Sequence, residues 1–368
     1  MYRSMKRSTF LLLTLILSGM MILSACSANN IEETKKAGEI AKDVSSEKST
    51  YGGEEGKITV YLSGSEPMIK KLEEEFEAQR GDVLDLLHMG CGPLRQKVWT
   101  EKEAGQIQAD VVWGSDPLMY KVLAKEGALE KYLPKEYDTI KPEYKIGDGY
   151  YTLVNERYGV IIYNKDRIEK ESIPKGFSDL KDKKWDGVMV MADANQSSTA
   201  LALNSAIYQM SGNNWDYLKA MHKNHLFLTK KNGEVSSKIS EGEFDVGIAP
   251  HDGVLRLQKK AKKDGYETPL KLAWPEEGAL AIQRPIAIIK NEERPESNEK
   301  IAEEFVDFIL SKKAQMITAN FGFISVRKDV PLPEGIPEDI KVMPVDWEYA
   351  SEHEEELRDG FKEIMQGK

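Results

Sequence analysis

Four short turns carry the residue types that could hold a charged small molecule. Ser63-Gly64-Ser65, Gly90-Cys91-Gly92-Pro93, Gly114-Ser115-Asp116-Pro117 and Asn195-Gln196-Ser197-Ser198-Thr199 each set hydroxyls, amides or free backbone N–H groups where an apolar helical pattern begins. The first turn of a helix leaves four N–H groups unpartnered and carries a partial positive charge, so it suits an anion. Ser, Thr, Asn and Asp are also the ordinary N-capping residues, and for any one turn capping is explanation enough. Magnitude favours the set over its members. One helix terminus offers an anion ~0.3–1 kcal/mol, whereas micromolar binding needs about 8 kcal/mol. Several termini converging on one guest could reach that figure. The 195–199 cluster stands out, because five consecutive polar residues exceed what a single cap requires.

Catalytic signatures are missing. The chain has no phosphate loop of the form Gly-x4-Gly-Lys, no Gly-x-Ser-x-Gly and no His-Glu-x-x-His, and Gly90-Cys91-Gly92 lacks the third glycine of a dinucleotide fingerprint. The five histidines (88, 222, 225, 251 and 353) are scattered, and only the 222/225 pair has any ligand-like spacing. That pair reads as solvated. Cys91, in a tight turn, reads as a small buried residue rather than a nucleophile. The expectation is a binding protein with no catalytic residue, no resident metal and no cofactor.

The elements that would position these turns repeat one pattern. Ile58, Val60 and Leu62 alternate with polar residues as a strand does, and Met68, Ile69, Leu72 and Phe76 follow at helical spacing after Pro67. Val83–Leu87 then precedes a helix through Leu94 and Val98, and Ala109–Trp113 precedes one through Val122 and Leu123. Strand, Gly/Ser turn, helix recurs three times, which predicts an α/β unit with a largely parallel sheet. Further strands are expected at Arg157–Tyr163, Val188–Met191, Phe244–Ala249, Leu270–Trp274, Ala279–Ile289 and Gly322–Arg327. Helices are expected at Ala200–Ile207, Trp215–His222, from Val254, and at Ile301–Leu310, with a last one in the Glu-rich tail. In sheets of this kind ligands collect at the carboxyl ends of the strands, where the four turns lie.

The N-terminus directs the chain across a membrane. Arg3, Lys6 and Arg7 precede a run from Phe10 to Leu23 broken only by Thr14, Ser18 and Gly19. That is a secretory signal peptide, residues 1–25. A fourteen-residue helix reaches ~21 Å, short of the ~30 Å hydrocarbon core. Leu23-Ser24-Ala25-Cys26 resembles the lipobox of bacterial lipoproteins, which implies cleavage before Cys26, its lipidation (palmitate among the acyl chains) and an anchor on the extracytoplasmic face of the cell membrane. Residues 26–56, polar and without a sustained apolar period, read as the lipidated start and a flexible linker. With Cys26 acylated, Cys91 is the one remaining cysteine and no intrachain disulfide can form. The formal net charge of −10 over 368 residues becomes more negative once three basic residues leave with the signal peptide. An acidic surface excludes nucleic acid as a partner.

The stretches Lys57–Ser65, Ala109–Asp116, Arg157–Asn164, Phe244–Pro250 and Gly322-Phe323-Ile324-Ser325-Val326-Arg327-Lys328-Asp329 together resemble the periplasmic binding proteins of bacterial ABC importers. The branch is the type 2, two-lobed group that takes ferric iron, thiamine, phosphonates and phosphoglycerate, and the likeness runs from Lys57 to Pro333. It implies an α/β fold of two lobes joined by hinge crossovers, lobe 1 formed by 57–156 plus 276–368 and lobe 2 by 157–275, with a monomer closing on a small solute and docking on a membrane permease. The residues expected to touch the solute are Ser63, Ser65, Gly92, Ser115 and Asp116 from one lobe. Asn195, Ser197, Ser198 and Thr199 would meet an anionic group from the other, with Asp252 opposite an ammonium and Trp274 as an apolar wall. Ferric-binding members carry adjacent tyrosines where this chain has Asp252 and Gly253. The solute expected is therefore a small anionic or polar one, phosphonate- or phosphate-ester-like. The alternatives are ferric iron, held by Asp116, Asp252 and Glu276 with a bound anion, or a ligand sensor for a membrane histidine kinase.

Mass spectrometry of protein from a secreting bacterial host should find the N-terminal peptide starting at an acylated Cys26, and Cys26→Ser should release the protein into the medium.

Overall fold

The computed structural model describes residues 53–367. The signal peptide, Cys26 and most of the linker lie outside the described residues. Where the linker enters the fold it is fastened: Gly56 N donates to Asn298 Oδ1 at 2.8 Å, and Asn298 Nδ2 donates to Glu54 O at 2.9 Å.

Three strand–helix units open the chain: β1 (Ile58–Leu62) and α1 (Glu66–Arg80), β2 (Leu84–His88) and α2 (Cys91–Glu103), β3 (Val111–Trp113) and α3 (Pro117–Lys125). The long β4 (Thr152–Asn164) follows, then β5 (Met189–Ala192), α4 (Ser198–Met210), α5 (Asp216–Lys223) and β6 (Phe227–Thr229). Next come α6 (Asn232–Ser240), β7 (Val246–Pro250), α7 (His251–Lys263), β8 (Leu270–Ala273) and β9 (Ala279–Ile288). The chain ends with α8 (Glu296–Leu310), α9 (Lys312–Asn320), β10 (Ile324–Ser325), β11 (Val342–Met343), α10 (Trp347–Glu352) and α11 (Glu354–Met365).

One sheet runs in the order β2-β1-β3-β9-β4-β7-β5-β6. Its two flanks are parallel, β1 with β2 and β3, and β5 with β6 and β7. The middle is antiparallel. β9 pairs with β3 and with the first part of β4, and β7 and β8 pair with the last part of β4. The three opening strands are parallel, as their repeated pattern predicts, and the whole sheet is mixed. A strand that carries the chain from one flank to the other must run against its neighbours, because no helical crossover turns it around.

Each flank is packed on both faces. Met68, Leu72 and Phe76 of α1 meet Phe305 and Phe308 of α8 over β1 and β3, Phe76 lying edge-on to Phe305 with centroids 5.3 Å apart. Tyr61, Leu94, Val98 and Val112 fill the opposite face. On the other flank Met189 and Met191 pack with Leu201 and Ile207, and Val190 packs with Val235 and Ala249. Helix α11 lays Leu357, Phe361 and Ile364 into the core that holds Leu201 and Leu218. Gln209 exchanges two bonds with the Asp346 backbone, at 2.9 and 2.8 Å.

The sequence pattern located most elements but shortened β4, which starts at Thr152 rather than Arg157. Asn155 and Glu156 hide its first half, since polar residues break the apolar run although both are buried there. Helices α6 and α9 and the short β6 and β11 lacked a periodic signal long enough to read.

Gly247 of β7 shows how tight the second flank is, because a Cβ at that position would collide with the backbone carbonyl of Val190. Gly247→Ala should therefore cost about 1–3 kcal/mol of stability, read as a lower midpoint in chemical denaturation.

Candidate functional site

The turns that follow β1, β2, β3, β5 and β7 all open into one cleft of about 1420 Å³. Of the solute-binding residues expected from sequence, Ser63, Ser65, Gly92, Ser115, Asn195, Ser197, Ser198, Thr199 and Asp252 line it. Asp116 and Trp274 are not among the lining residues. Asp116 is buried behind it, accepting from Met119 N at 3.1 Å as the N-cap of α3 and holding Arg95 Nη1 at 3.0 and 3.1 Å. Trp274 packs on Tyr158 and His251, with centroids 6.3 and 6.0 Å away.

The N-termini of α2 and α4 meet across the cleft. Ser198 Oγ donates to Cys91 O at 3.3 Å, and Gly92 sits so close that a Cβ would strike Gln196 O. Only glycine permits that approach. Cys91 is half-buried in the cleft, its Sγ 3.1 Å from Ser63 Oγ and 3.6 Å from Thr199 Oγ1. Ser197 performs the ordinary capping role, accepting from Ala200 N at 3.3 Å.

Arginines do what the serines alone could not. Arg95, Arg157, Arg256, Arg284 and Arg358 line the cleft with Lys230 and Lys231, against four acids, Glu66, Glu103, Asp252 and Glu354. A protein of net charge −10 therefore has a locally positive cleft.

Arg284 of β9 is the deepest. It is 0 % exposed, and its guanidinium lies between the rings of Phe323 and Trp113, 4.3 and 5.0 Å from their centroids. Nη2 donates to Ser63 O at 2.5 Å, but Nε and Nη1 have no partner. Burial, with the Arg157 charge adding to it, pulls its pKa down to about 10. Asn155, opposite Arg284 on β4, is also wholly buried with neither amide atom paired.

Arg157 reaches Thr199 Oγ1 through Nη2 at 2.8 Å and Asp252 through Nη1 at 3.4 Å, and its Nε is unpartnered. Burial pushes the Asp252 carboxyl up, but the Arg157 and Arg256 charges outweigh it and hold the group below the usual range. Next door His251 is a structural residue. Its Nδ1 accepts from Tyr158 N at 2.8 Å and its Nε2 donates to Gly322 O at 2.7 Å, the arrangement of a neutral ring.

Sequence reasoning passed over Arg157 and Arg284. A signal existed: each is a lone cation in a run otherwise apolar enough for a central strand, and charged residues are rarely buried there without a task.

The residues of the ferric alternative do not come together. Asp116 and Asp252 are engaged by arginines, and Glu276 is exposed and outside the cleft lining. Among the described residues no three His, Cys, Asp or Glu side chains gather where a metal ion could sit, and no tyrosine lines the cleft.

The profile of the bacterial extracellular solute-binding proteins matches residues 108–353. The chain belongs to that family. Its fold is that of the two-lobed, type 2 periplasmic binding proteins, and the family is one of extracellular solute-binding proteins. The periplasmic binding protein AfuA from Actinobacillus pleuropneumoniae, solved with fructose-6-phosphate bound, is 25% identical and superposes with a TM-score of 0.73 over 85% of this chain and 99% of its own. Iron-bound HitA from Pseudomonas aeruginosa is 19% identical, with a TM-score of 0.72 over 83% of this chain and 99% of that one. The sulfate-binding protein of Synechococcus elongatus is 25% identical over 177 residues, 46% of this chain. The chain spans about half that relative's length, 47%.

His251 gives the site's surroundings a pH signature, because burial lowers its pKa below 6.5. The unfolded chain then binds a proton that the folded ring refuses, so stability is full above pH 6.5 and falls as pH drops toward the folded value. His251→Asn should remove a slope of about 1.4 kcal/mol per pH unit from the stability profile below pH 6.5, measured by denaturant unfolding at closely spaced pH values.

Proposed function

We propose that this protein is the lipid-anchored capture component of an ABC importer and that its cargo is a small solute bearing a phosphate-ester or phosphonate group. The carrying observation is Arg284, a fully buried guanidinium at the cleft floor with two nitrogens lacking acceptors. A buried cation without a full set of acceptors is costly, and an anion entering the cleft would supply them. Around it Arg157 Nε, the Ser63 and Thr199 hydroxyls and the α2 and α4 termini offer further donors. Asp252 would then act less on a ligand ammonium than in orienting Arg157. The likeness to AfuA, solved with a sugar phosphate, agrees with this choice.

The division into lobes at 57–156 with 276–368 and 157–275 is part of the reading, with the hinge in β4 and the start of β9, except that helix α11 packs on α4 and α5 of the second lobe. A closed, loaded monomer would hand its solute to a membrane permease that the Cys26 anchor keeps within reach. The protein needs neither catalytic residue nor cofactor for this work.

Calorimetry with fructose 6-phosphate, inorganic phosphate and sulfate tests the reading. At least one should bind, and Arg284→Met should weaken it by about 2–5 kcal/mol without lowering the melting temperature of the empty protein. Stoichiometric iron in protein purified without refolding, with none of the three anions bound, would replace this reading with the ferric one.

A further inference from the structure

The C-terminal helices do more than close the fold. Helix α10 rides on α3: Ala350 shares a core with Leu118, and Lys121 and Lys125 reach Glu348 and Glu352 at 2.7 and 3.4 Å. Helix α11 rides instead on α4 and α5, through Leu357, Phe361 and Ile364, and Gly360 lies against the Trp215 ring. One residue, His353, separates the two helices. The chain therefore passes from the flank built on β1–β3 to the flank built on β5–β7 around His353, and Asp346 at the start of α10 is already bonded to Gln209 of α4.

Glu354 is the first residue beyond His353, and it lines the cleft. Its carboxylate is shared. Oε2 pairs with Arg95 Nη2, and Oε1 accepts from Arg358 Nε at 2.8 Å. Arg358 belongs to α11 and also donates to Ala194 O at 3.3 Å, so Glu354 and Arg358 move with α4. Arg95 belongs to the opposite flank. Its helix packs Leu94 and Val98 on Tyr61 and Val112, and Asp116 fixes its other nitrogen. The Arg95–Glu354 pair is therefore a buried charged contact that must part if α2 and α11 swing away from each other. It is well shielded, with side-chain exposures of 10% and 13%, so water screens it weakly.

We propose that Glu354 is a latch: a carboxylate carried by the C-terminal helix that clasps Arg95 across the cleft and sets the balance between open and closed protein. The effect on cargo rests on the solute-capture reading above, but the latch itself acts in the empty protein. A ligand held only by the closed form binds with an apparent affinity proportional to the fraction of protein that is closed.

The test uses full-length protein and Glu354→Gln, which keeps the shape and removes the charge. Two readouts need no ligand: the radius of gyration from small-angle scattering, and the alkylation rate of Cys91 followed by peptide mass spectrometry. Its half-buried thiol touches Ser63 of one flank and Thr199 of the other, so parting the flanks exposes it further. The variant should be more expanded and should label faster, and fructose 6-phosphate should bind about tenfold more weakly. Unchanged scattering together with unchanged labelling overturns the latch. Glu354→Asp, which keeps the charge one methylene shorter, serves if the first variant does not fold, and should move both readouts the same way by less; wild-type values there overturn the latch equally. Should wild-type protein bind no anion, the cargo reading fails while scattering and labelling still decide the latch.

Discussion

A guanidinium sealed under the cleft with only part of its hydrogen bonding satisfied is the constraint on which this structure turns. Arg284 cannot be there for stability. Its charge is desolvated, Arg157 repels it, and Nε and Nη1 go unpaired. What holds it is the stack of Phe323 and Trp113 and one bond to Ser63 O, on a strand paired on both sides. The fold can carry such a group because four large apolar clusters surround the sheet.

The other cleft charges are arranged so that little positive potential is wasted. Arg95 is taken by Asp116 and Glu354, and Arg157 is partly taken by Asp252. Arg284 alone is fully buried and lacks a carboxylate partner. This gradation explains how an acidic protein offers an anion a favourable cleft: the surface charge repels weakly through water, whereas the buried guanidinium acts at short range in a medium that screens little.

The antiparallel pair β4 and β9 gives the cleft its geometry. Both strands bring an arginine to it, Arg157 and Arg284, from registers that also tie the flanks together. The strands that line the cleft floor thus also join the two flanks. The C-terminal helices add a third link between the flanks through the joint at His353.

How much of this was legible in the sequence follows from the range of the forces involved. Alternating Ile58, Val60 and Leu62, the helical spacing from Met68 to Phe76 and the Gly/Ser turns are local signals, and they located the α/β units and the turns that line the cleft. The order of strands along Lys57–Asp329 was enough to mark the likeness to periplasmic binding proteins. Pairing across the chain was not local. That Asp116 is spent on Arg95, that Trp274 packs on Tyr158 and not on the cleft, and that Glu354 returns more than 250 residues later to meet Arg95 depend on contacts between distant segments. Residue types determined which groups could bind an anion; only tertiary packing decided which of them were left without a partner, because a side chain's partners are set by what the fold brings within ~3 Å of it.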